Sequence, residues 1–311
     1  HYKVEDGLTF NTVRSIIQDR RGFMWIGTED GLNRFDGYTF KEFRSKANSK
    51  NSIGSNYIGT LLEDSNGDIW IGTENGVYIY HPTTEKFIRL EAKTNKGVIC
   101  SSSVNNIVED KLKNIWLSTY GQGIFCYNLN SGKLEQYNVV NDGSEKSDYN
   151  FINYIYVDHN NLVWAAPKTP SSPLIFFNRP KKQFQIVPLK LNSSKKNTFS
   201  VYKIFEDSQQ NFWLGTWDKG LCKLDIKGKK VTSYLSPQSP GGIIHIHEIN
   251  EYKPNLLLIG SDDGLSLFNT KTLQHQLLTS SETDPSSISD NFVYPIFKDR
   301  AGVEIHMKKH A

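Results

Sequence analysis

Several features that mark common kinds of enzyme or membrane protein are missing from this 311-residue sequence. It contains no Gly-x-Ser-x-Gly elbow, no His-Glu-x-x-His pair and no glycine-rich phosphate loop, so it offers no recognisable nucleophile, zinc-protease or nucleotide motif. No run of about eighteen consecutive apolar residues occurs, and we therefore expect no membrane-spanning helix. The formal net charge is only +3 and the Lys and Arg residues are dispersed, which argues against nucleic-acid binding.

Cysteine is also scarce. The three residues Cys100, Cys126 and Cys222 cannot all pair, and their spacing fits no zinc pattern. Cys126 and Cys222 fall in short apolar runs, so we expect them to be small buried side chains. The cysteines therefore predict neither a disulfide framework nor a metal site, and they leave the cellular compartment open.

The sequence instead contains one unit written seven times. An Asp stands six residues before a Trp in five copies and before an Ile in another, and the remaining copy has Leu258 at the Trp position and no Asp. The pairs are Asp19/Trp25, Asp64/Trp70, Asp110/Trp116, Asp158/Trp164, Asp207/Trp213 and Asp299/Ile305. Successive Trp positions are 45 to 49 residues apart, a period typical of β-propellers and other repeat arrays.

Within each unit, short runs of alternating polarity bounded by turn residues indicate four strands, a to d. We predict an all-β fold, a seven-bladed β-propeller of four-stranded antiparallel blades formed by residues 1–311 as a single domain. The predicted repeat units are 11–44, 56–90, 103–138, 151–188, 200–235, 243–278 and 291–308. Because the seventh unit holds only two strands, we expect an N-terminal strand, 1–5, to close an incomplete seventh blade.

Turn chemistry is predicted at fixed positions of the unit. We expect the Asp side chain to accept a hydrogen bond from the backbone N–H two residues later, and the Trp of strand b to pack between neighbouring blades. A Gly or Asn after the Asp should adopt positive φ, and the predicted residues are Gly22, Gly67, Asn114, Asn161 and Gly302. The d–a and b–c connections share one face of the blades, the loop face, and their variable loops make it the expected functional face.

Candidate ligand-binding residues lie on this loop face. Tyr120 and Trp217 follow strand b in blades 3 and 5, whereas the same turn carries carboxylates in blades 1 and 6. Flat rings beside acidic groups suit a saccharide, because rings stack on C–H faces and polar groups bind hydroxyls. The predicted set is Trp217, Asp218, Tyr120, Glu29, Asp30, Asp262, Asp263 and Lys168. For any single member, packing against the next loop is the alternative.

Metal-binding and catalytic roles are weaker alternatives. Asp64–Asp68 resembles a calcium loop but lacks its later Gly and Glu, so we interpret it as a hairpin turn. His245 and His247 would share one face of strand a in the sixth unit, yet no third ligand is evident and packed or hydrogen-bonded imidazoles are favoured. We predict no metal site, no cofactor and no catalytic residue, although separate blades could still assemble an enzyme.

The string D-x-x-G-x-x-W-I-G-T-x-x-G-L/V resembles the regulator-propeller repeat of two-component sensors, especially the periplasmic sensor region of hybrid two-component systems from gut Bacteroidetes. The residues that carry it are Asp19, Gly22, Trp25–Thr28 and Gly31–Leu32, then Asp64, Gly67, Trp70–Thr73 and Gly76–Val77, then Asp207, Trp213, Gly215, Thr216 and Gly220–Leu221. The fourth, sixth and seventh units depart from this string.

The resemblance implies that the chain is the first of two propellers in a receptor that continues with an immunoglobulin-like domain, a membrane span, a kinase and a DNA-binding regulator. It would be a non-enzymatic, periplasmic sensing region that recognises an oligosaccharide and controls glycan-utilisation genes. The expected partners are that oligosaccharide, the second propeller and downstream domains, and a second copy in a homodimer, with no nucleic acid bound by this region. An interaction scaffold and, less favoured, a propeller lyase or hydrolase are the alternatives.

Overall fold

The computed structural model describes residues 2–47, 49, 51–137, 150–169, 174–191, 199–238, 242–284, 287–302 and 304–308. The remaining positions, such as 170–173 of the predicted fourth repeat, lie outside the described residues. The chain divides into two compact units, which span His1–Val157 and Asp158–Lys309.

The first unit holds three complete blades and the first strand of a fourth. Blade 1 consists of β1 (Val13–Gln18), β2 (Met24–Thr28), β3 (Gly31–Phe35) and β4 (Phe40–Phe43). Blade 2 consists of β5 (Ile58–Glu63), β6 (Ile69–Thr73), β7 (Gly76–His81) and β8 (Lys86–Arg89). Blade 3 consists of β9 (Val104–Glu109), β10 (Asn114–Thr119), β11 (Ile124–Asn128) and β12 (Leu134–Tyr137), and β13 (Ile152–Val157) begins blade 4.

The second unit holds the rest of blade 4, two further blades and a smaller sheet. Blade 4 continues with β14 (Val163–Pro167), β15 (Ile175–Asn178) and β16 (Gln183–Ile186), and a short strand β17 (Lys190–Leu191) follows. Blade 5 consists of β18 (Val201–Glu206), β19 (Phe212–Thr216), β20 (Leu221–Asp225) and β21 (Lys230–Tyr234). Blade 6 consists of β22 (Glu248–Lys253), β23 (Leu256–Gly260), β24 (Leu265–Asn269) and β25 (His275–Leu278). The last sheet consists of β26 (Val293–Lys298) and β27 (Glu304–Lys308).

Each blade is an antiparallel sheet whose strands are hydrogen-bonded in chain order. The predicted all-β propeller of four-stranded antiparallel blades is therefore confirmed, with one addition: β17 pairs in parallel with β21 and widens blade 5 to five strands. The predicted number of blades is wrong. Within the described ranges there are six complete blades, because β26 and β27 form a sheet of only two strands.

The predicted closure by an N-terminal strand, 1–5, is also wrong over the part that the structure describes. Val4–Asp6 form one turn of 3-10 helix, which Gly7 ends with a φ of 104°. Farther along, Asn33 of blade 1 accepts the backbone N–H of Thr9 at 3.0 Å and donates to its hydroxyl at 2.7 Å. Side-chain bonds to blade 1, and not a strand ladder, hold the N-terminal segment.

The repeated Asp is a buried acceptor that joins a turn to a tryptophan. In blade 1, Asp19 Oδ1 accepts the backbone N–H groups of Arg21 at 2.9 Å and Phe23 at 3.0 Å. Asp19 Oδ2 accepts the indole N–H of Trp25 at 2.9 Å. The same indole bond, 2.8–2.9 Å long, recurs in Asp64–Trp70, Asp110–Trp116, Asp158–Trp164 and Asp207–Trp213. The predicted bond within the turn is confirmed, whereas the indole bond was not predicted.

The third residue after the Asp adopts positive φ in each of these turns. Gly22 (94°), Gly67 (95°), Asn161 (64°) and Gly302 (84°) agree with the prediction. The prediction for blade 3 is wrong, because Lys113 takes the position with a φ of 65° and Asn114 lies in β10. In blade 5 the residue is Gln210, with a φ of 62°. The turn therefore imposes its backbone conformation on residues other than Gly and Asn.

The tryptophans pack between neighbouring blades, as predicted. In the first unit, the ring centroid of Trp25 lies 4.9 Å from that of Tyr80 in blade 2, and Trp70 lies 5.5 Å from Tyr127 in blade 3. In the second unit, Trp213 lies 5.8 Å from Phe268 in blade 6. These three tryptophan side chains are at most 1% exposed and lie within the apolar clusters that join one blade to the next.

A second repeated contact joins the turns of successive blades. A Glu at or near the end of strand a accepts the backbone N–H of the residue after the Asp in the preceding blade. The distances from that nitrogen are 2.9 Å for Arg20–Glu63, 2.7 Å for Ser65–Glu109, 3.0 Å for His159–Glu206 and 2.9 Å for Ser208–Glu251. In these four pairs of blades, one blade caps the turn of its neighbour.

The three cysteines are buried, and none of them forms a disulfide. Burial raises the pKa of the Cys100 and Cys222 thiols to about 12, so both are protonated at neutral pH. The helix Val4–Asp6 is far too short to cross a bilayer, and no other helix among the described residues could do so.

We expect the native thiols to react slowly with a disulfide reagent at pH 8. A pKa raised from 9.0 to about 12 lowers the thiolate population of Cys100 and Cys222 about a thousandfold. In a timed assay with Ellman's reagent at pH 8, the folded chain should release at most one equivalent in the time in which the chain in guanidinium releases all three. Rapid reaction of two or more thiols in the folded chain would contradict this burial.

We expect Asp64→Asn to destabilise the protein by about 2 kcal/mol, because an amide cannot accept from both the turn and the indole of Trp70. The matched control is Asp68→Asn in the same hairpin, where the half-exposed carboxylate binds only the imidazole of His81 at 2.8 Å. The measurement is urea unfolding followed by tryptophan fluorescence. Equal midpoints for the two variants would show that the repeated Asp does not organise the blade.

Candidate functional site

The second unit places aromatic and imidazole side chains at one position of three successive repeats. A buried residue starts or precedes strand a in each repeat, and the next side chain faces the loops. The buried residues are Val201, Ile246 and Val293, which are at most 2% exposed, and the side chains that follow them are Tyr202, His247 and Tyr294. The ring centroids of His247 and Tyr294 are 5.2 Å apart. The repeat therefore sets these rings side by side.

Trp217 extends this row from the b–c turn of blade 5. Its ring stacks on His245, with centroids 3.5 Å apart and planes at 21°, and it lies 5.1 Å from Tyr202. The backbone fixes this arrangement, because the Trp217 N–H bonds the carbonyl of Ser200 at 3.0 Å. Trp217 is nevertheless 42% exposed, which is unusual for so large a ring. The aromatic wall, as we name it, comprises Tyr202, Trp217, His245, His247, Phe292 and Tyr294.

Asp262 orders the two imidazoles of the wall. Its Oδ2 binds Nδ1 of His245, and its Oδ1 binds Nε2 of His247 at 2.6 Å. Because an ionised carboxylate can only accept, both of these ring nitrogens carry hydrogen. In the neutral tautomer of His245 that donates its Nδ1–H to Asp262, Nε2 is an acceptor. His245 has a φ of 48°, a conformation that the contacts with Trp217 and Asp262 hold in place.

The predicted strand position of the two histidines is wrong, since β22 begins only at Glu248, after both of them. The loop before this strand is pinned instead by Asp263, whose side chain accepts the backbone N–H of Ile244 at 2.8 Å. The preferred role as hydrogen-bonded imidazoles is confirmed by their contacts with Asp262. No group of three metal-binding side chains occurs in the part of the chain that the structure describes.

Two other predicted residues of the second unit lie outside the aromatic wall. Asp218 follows Trp217, accepts the backbone N–H of Ser200 at 3.2 Å and pairs with Lys219 at 3.4 Å. It therefore shapes the turn that carries the tryptophan. Lys168 directly follows β14 in blade 4 and is exposed.

The predicted residues of the first unit form separate structures. Glu29 pairs with Arg14 at 3.5 Å, and Asp30 binds both Arg44 and the amide of Asn56, the latter at 2.9 Å. The hydrogen bond to Asp30 raises the pKa of Arg44. These carboxylates are engaged in ion pairs that lock the b–c turn of blade 1.

Tyr120, in the b–c turn of blade 3, packs edge-on against Phe151 with centroids 4.6 Å apart and is 47% exposed. Of the eight predicted residues, Trp217 and Asp262 both contact His245. Asp218 and Asp263 are their neighbours in sequence.

The prediction missed Tyr202, Phe292 and Tyr294, and it interpreted His245 and His247 as packed or hydrogen-bonded imidazoles without including them among the ligand-binding residues. A signal for three of the five was present. When the repeats are aligned on the buried residue that starts strand a, the next position is Tyr202, His247 and Tyr294 in the last three units and non-aromatic in the first four. The contact of His245 with Trp217 depends on a left-handed backbone conformation in a loop. No residue pattern in the sequence predicts that conformation.

Comparison with known proteins finds the same kind of repeat. The model described as "Two component regulator propeller" matches residues 7–30, 52–75 and 195–218, together less than half of the chain. Histidine kinase P4 of Formosa agariphila is 50% identical over 48 residues, which are 15% of this chain and 4% of that protein. The matched repeats are those of a regulator propeller, in agreement with the expected non-enzymatic role.

Solved structures share the fold. The extracellular domain of a one-component system of B. thetaiotaomicron has a TM-score of 0.78 and 21% identity, over 96% of this chain and 37% of that one. The extracellular domain of a hybrid two-component system of the same organism has a TM-score of 0.78 and 24% identity, over 96% of this chain and 39% of that one. This chain thus spans less than two fifths of either relative.

Trp217 should supply nearly all of the quencher-accessible tryptophan emission, since the other five of the six tryptophans are at most 3% exposed. We expect Trp217→Phe to remove most of the emission that acrylamide can quench. The matched control is Trp116→Phe, a buried position, which should leave the accessible emission unchanged. Equal quenching of wild type and Trp217→Phe would mean that the wall is covered in solution.

Proposed function

We propose that this chain, which carries two-component regulator propeller repeats, is the extracytoplasmic sensing part of a two-component receptor and that its aromatic wall binds an oligosaccharide. The observation that carries the proposal is the exposed Trp217, stacked on His245 and held beside an ordered carboxylate. We place the receptor in a bacterial inner membrane, with this chain in the periplasm, and its output in the control of glycan-utilisation genes.

The chemistry of the wall supports a saccharide. Sugar rings present C–H faces that stack on aromatic rings, and hydroxyls that need donors and acceptors at fixed points. Trp217 supplies the flat surface. The bond from Asp262 to Nδ1 selects the neutral tautomer of His245 in which Nε2 can accept a hydrogen bond from a hydroxyl. Because backbone bonds and the Asp262 carboxylate hold these groups in advance, little conformational entropy is lost when a ligand binds.

Signalling then follows from differential affinity. A glycan that binds one state of the receptor more tightly than the other shifts the equilibrium by that difference, without chemical change in the ligand. The second propeller and downstream domains are the proposed partners that read this shift, and a homodimer is the proposed form of the receptor.

The test is a thermal-shift screen of the chain against oligosaccharides from plant and host polysaccharides, followed by calorimetric titration of each hit. A ligand at a hundred times its Kd should stabilise the protein by about 2.7 kcal/mol. We expect Trp217→Ala to weaken binding at least about tenfold, since the stacking surface is lost.

Two control variants locate the site. Tyr38→Ala removes a ring that is 92% exposed in a c–d turn, away from the loop face, and should bind as wild type does. Tyr120→Ala removes the ring at the equivalent b–c turn of blade 3. Weaker ligand binding by this variant would show that Tyr120 contributes to binding. Absence of any shift across the panel would sink the sensing proposal in favour of an interaction scaffold.

A further inference from the structure

Among the described residues, carboxylates outnumber cations around the aromatic wall. Asp218, Asp262 and Asp263 lie in the two b–c turns that carry or hold the wall, and Asp290 accepts the backbone N–H of Phe292 at 2.9 Å. The described cation in contact with this set is Lys219, which pairs with Asp218. Four carboxylates therefore stand against Lys219 and, in blade 4, Lys168, whereas Lys195 and Lys196 of the loop before β18 lie outside the described residues.

A second ion pair lies next to the wall and is balanced. Lys203 of β18 binds Glu248 of β22, and both side chains are at most 15% exposed. Because each charge of this buried pair satisfies the other, the pair offers no net positive charge to a ligand. It leaves the excess of carboxylates unchanged.

Arginine, the side chain that binds carboxylate and sulfate in a bidentate fork, is absent from the loop face in the described part of the second unit. Its two arginines there are Arg179, in the turn between β15 and β16, and Arg300, in the turn between β26 and β27. Both of these turns lie at the opposite end of the strands. An anionic ligand on Trp217 would find carboxylates nearby and no arginine.

We propose that the aromatic wall selects uncharged or amine-bearing saccharides and excludes those that carry carboxylate or sulfate. This inference rests on the proposed function, since it names the class of ligand that the same site accepts. The exclusion comes from repulsion: an anion stacked on Trp217 loses water and lies against Asp218 and Asp262, and the cation beside them in the described part of the site, Lys219, is already paired with Asp218. The aromatic surface itself tolerates either class, so the discrimination resides in the carboxylates.

The first test needs no saccharide, because Trp217 reports on its own surroundings. Caesium and iodide quench indole fluorescence with opposite charges, and acrylamide quenches without charge. Relative to N-acetyltryptophanamide at the same ionic strength, we expect caesium to quench Trp217 at least about threefold more efficiently than iodide at low salt. The double variant Asp218→Asn, Asp263→Asn should narrow this ratio and leave acrylamide quenching unchanged. Equal relative quenching by the two ions in wild type would overturn the inference and leave the proposed function intact.

The second test compares matched ligands by calorimetry at low and high salt. The pairs are β-mannotriose with the mannuronate trimer, galactotriose with the galacturonate trimer, and chitotriose with its N-sulfated, deacetylated counterpart. For any pair that binds, we expect the anionic member to bind at least about tenfold more weakly, with a deficit that shrinks at high salt. Equal or tighter binding of an anionic member overturns the inference, and binding by neither class across the full panel overturns the proposed function and the inference with it.

Discussion

The bond between the repeated Asp and the indole of a Trp six residues later is the interaction on which this structure depends. The carboxylate is buried, so it is stable only because every side of it is satisfied, by two backbone N–H groups of the turn and by the indole N–H. That requirement ties the turn to strand b and orients the ring. The ring then forms part of the apolar layer against the next blade, and the Glu that ends the following strand a caps the same turn from the other side. A local turn rule thus becomes a rule for assembling blades.

The rule lapses in blade 6, one of the blades that carry the site. Leu258 replaces the Trp, and the repeated Asp is absent from the preceding turn. At the other end of the strands, the b–c turn holds the chain that enters blade 6, through the bonds that Asp262 makes to two imidazoles and Asp263 makes to a backbone N–H. In this segment His245 adopts a left-handed backbone, and its ring stacks on Trp217. Local departures from a repeat are where function is expected, because the fold no longer dictates those residues.

The sequence predicts the features that recur and misses those that depend on a partner distant in sequence. The register of the Asp and Trp gave the blades, the turns and the buried tryptophans, because each of these follows from residues a few positions apart. The N-terminal segment was misassigned because its helical turn and its docking on Asn33 depend on single side-chain contacts, and not on alternation. Lys113 was missed because the turn forces positive φ on whatever residue stands there. In the site, Trp217 and Asp262 were found from loop composition, whereas Tyr202 and Tyr294 belong to a strand position whose neighbours only the fold reveals.

The same turn can be structural in one blade and functional in another, and its partners decide which. The b–c turn of blade 1 carries Glu29 and Asp30, and that of blade 6 carries Asp262 and Asp263. Composition alone therefore predicts a binding role equally for both turns. In blade 1 the carboxylates meet arginines, whose strong paired bonds consume them. In blade 6 Asp262 meets the imidazoles of His245 and His247, which each bind it through one ring nitrogen and pack within the aromatic wall. The carboxylates of that turn therefore have no arginine partner, and they lie at the aromatic wall. A propeller that repeats its scaffold can in this way assign a binding face to a few blades, by changing only what its turn carboxylates touch.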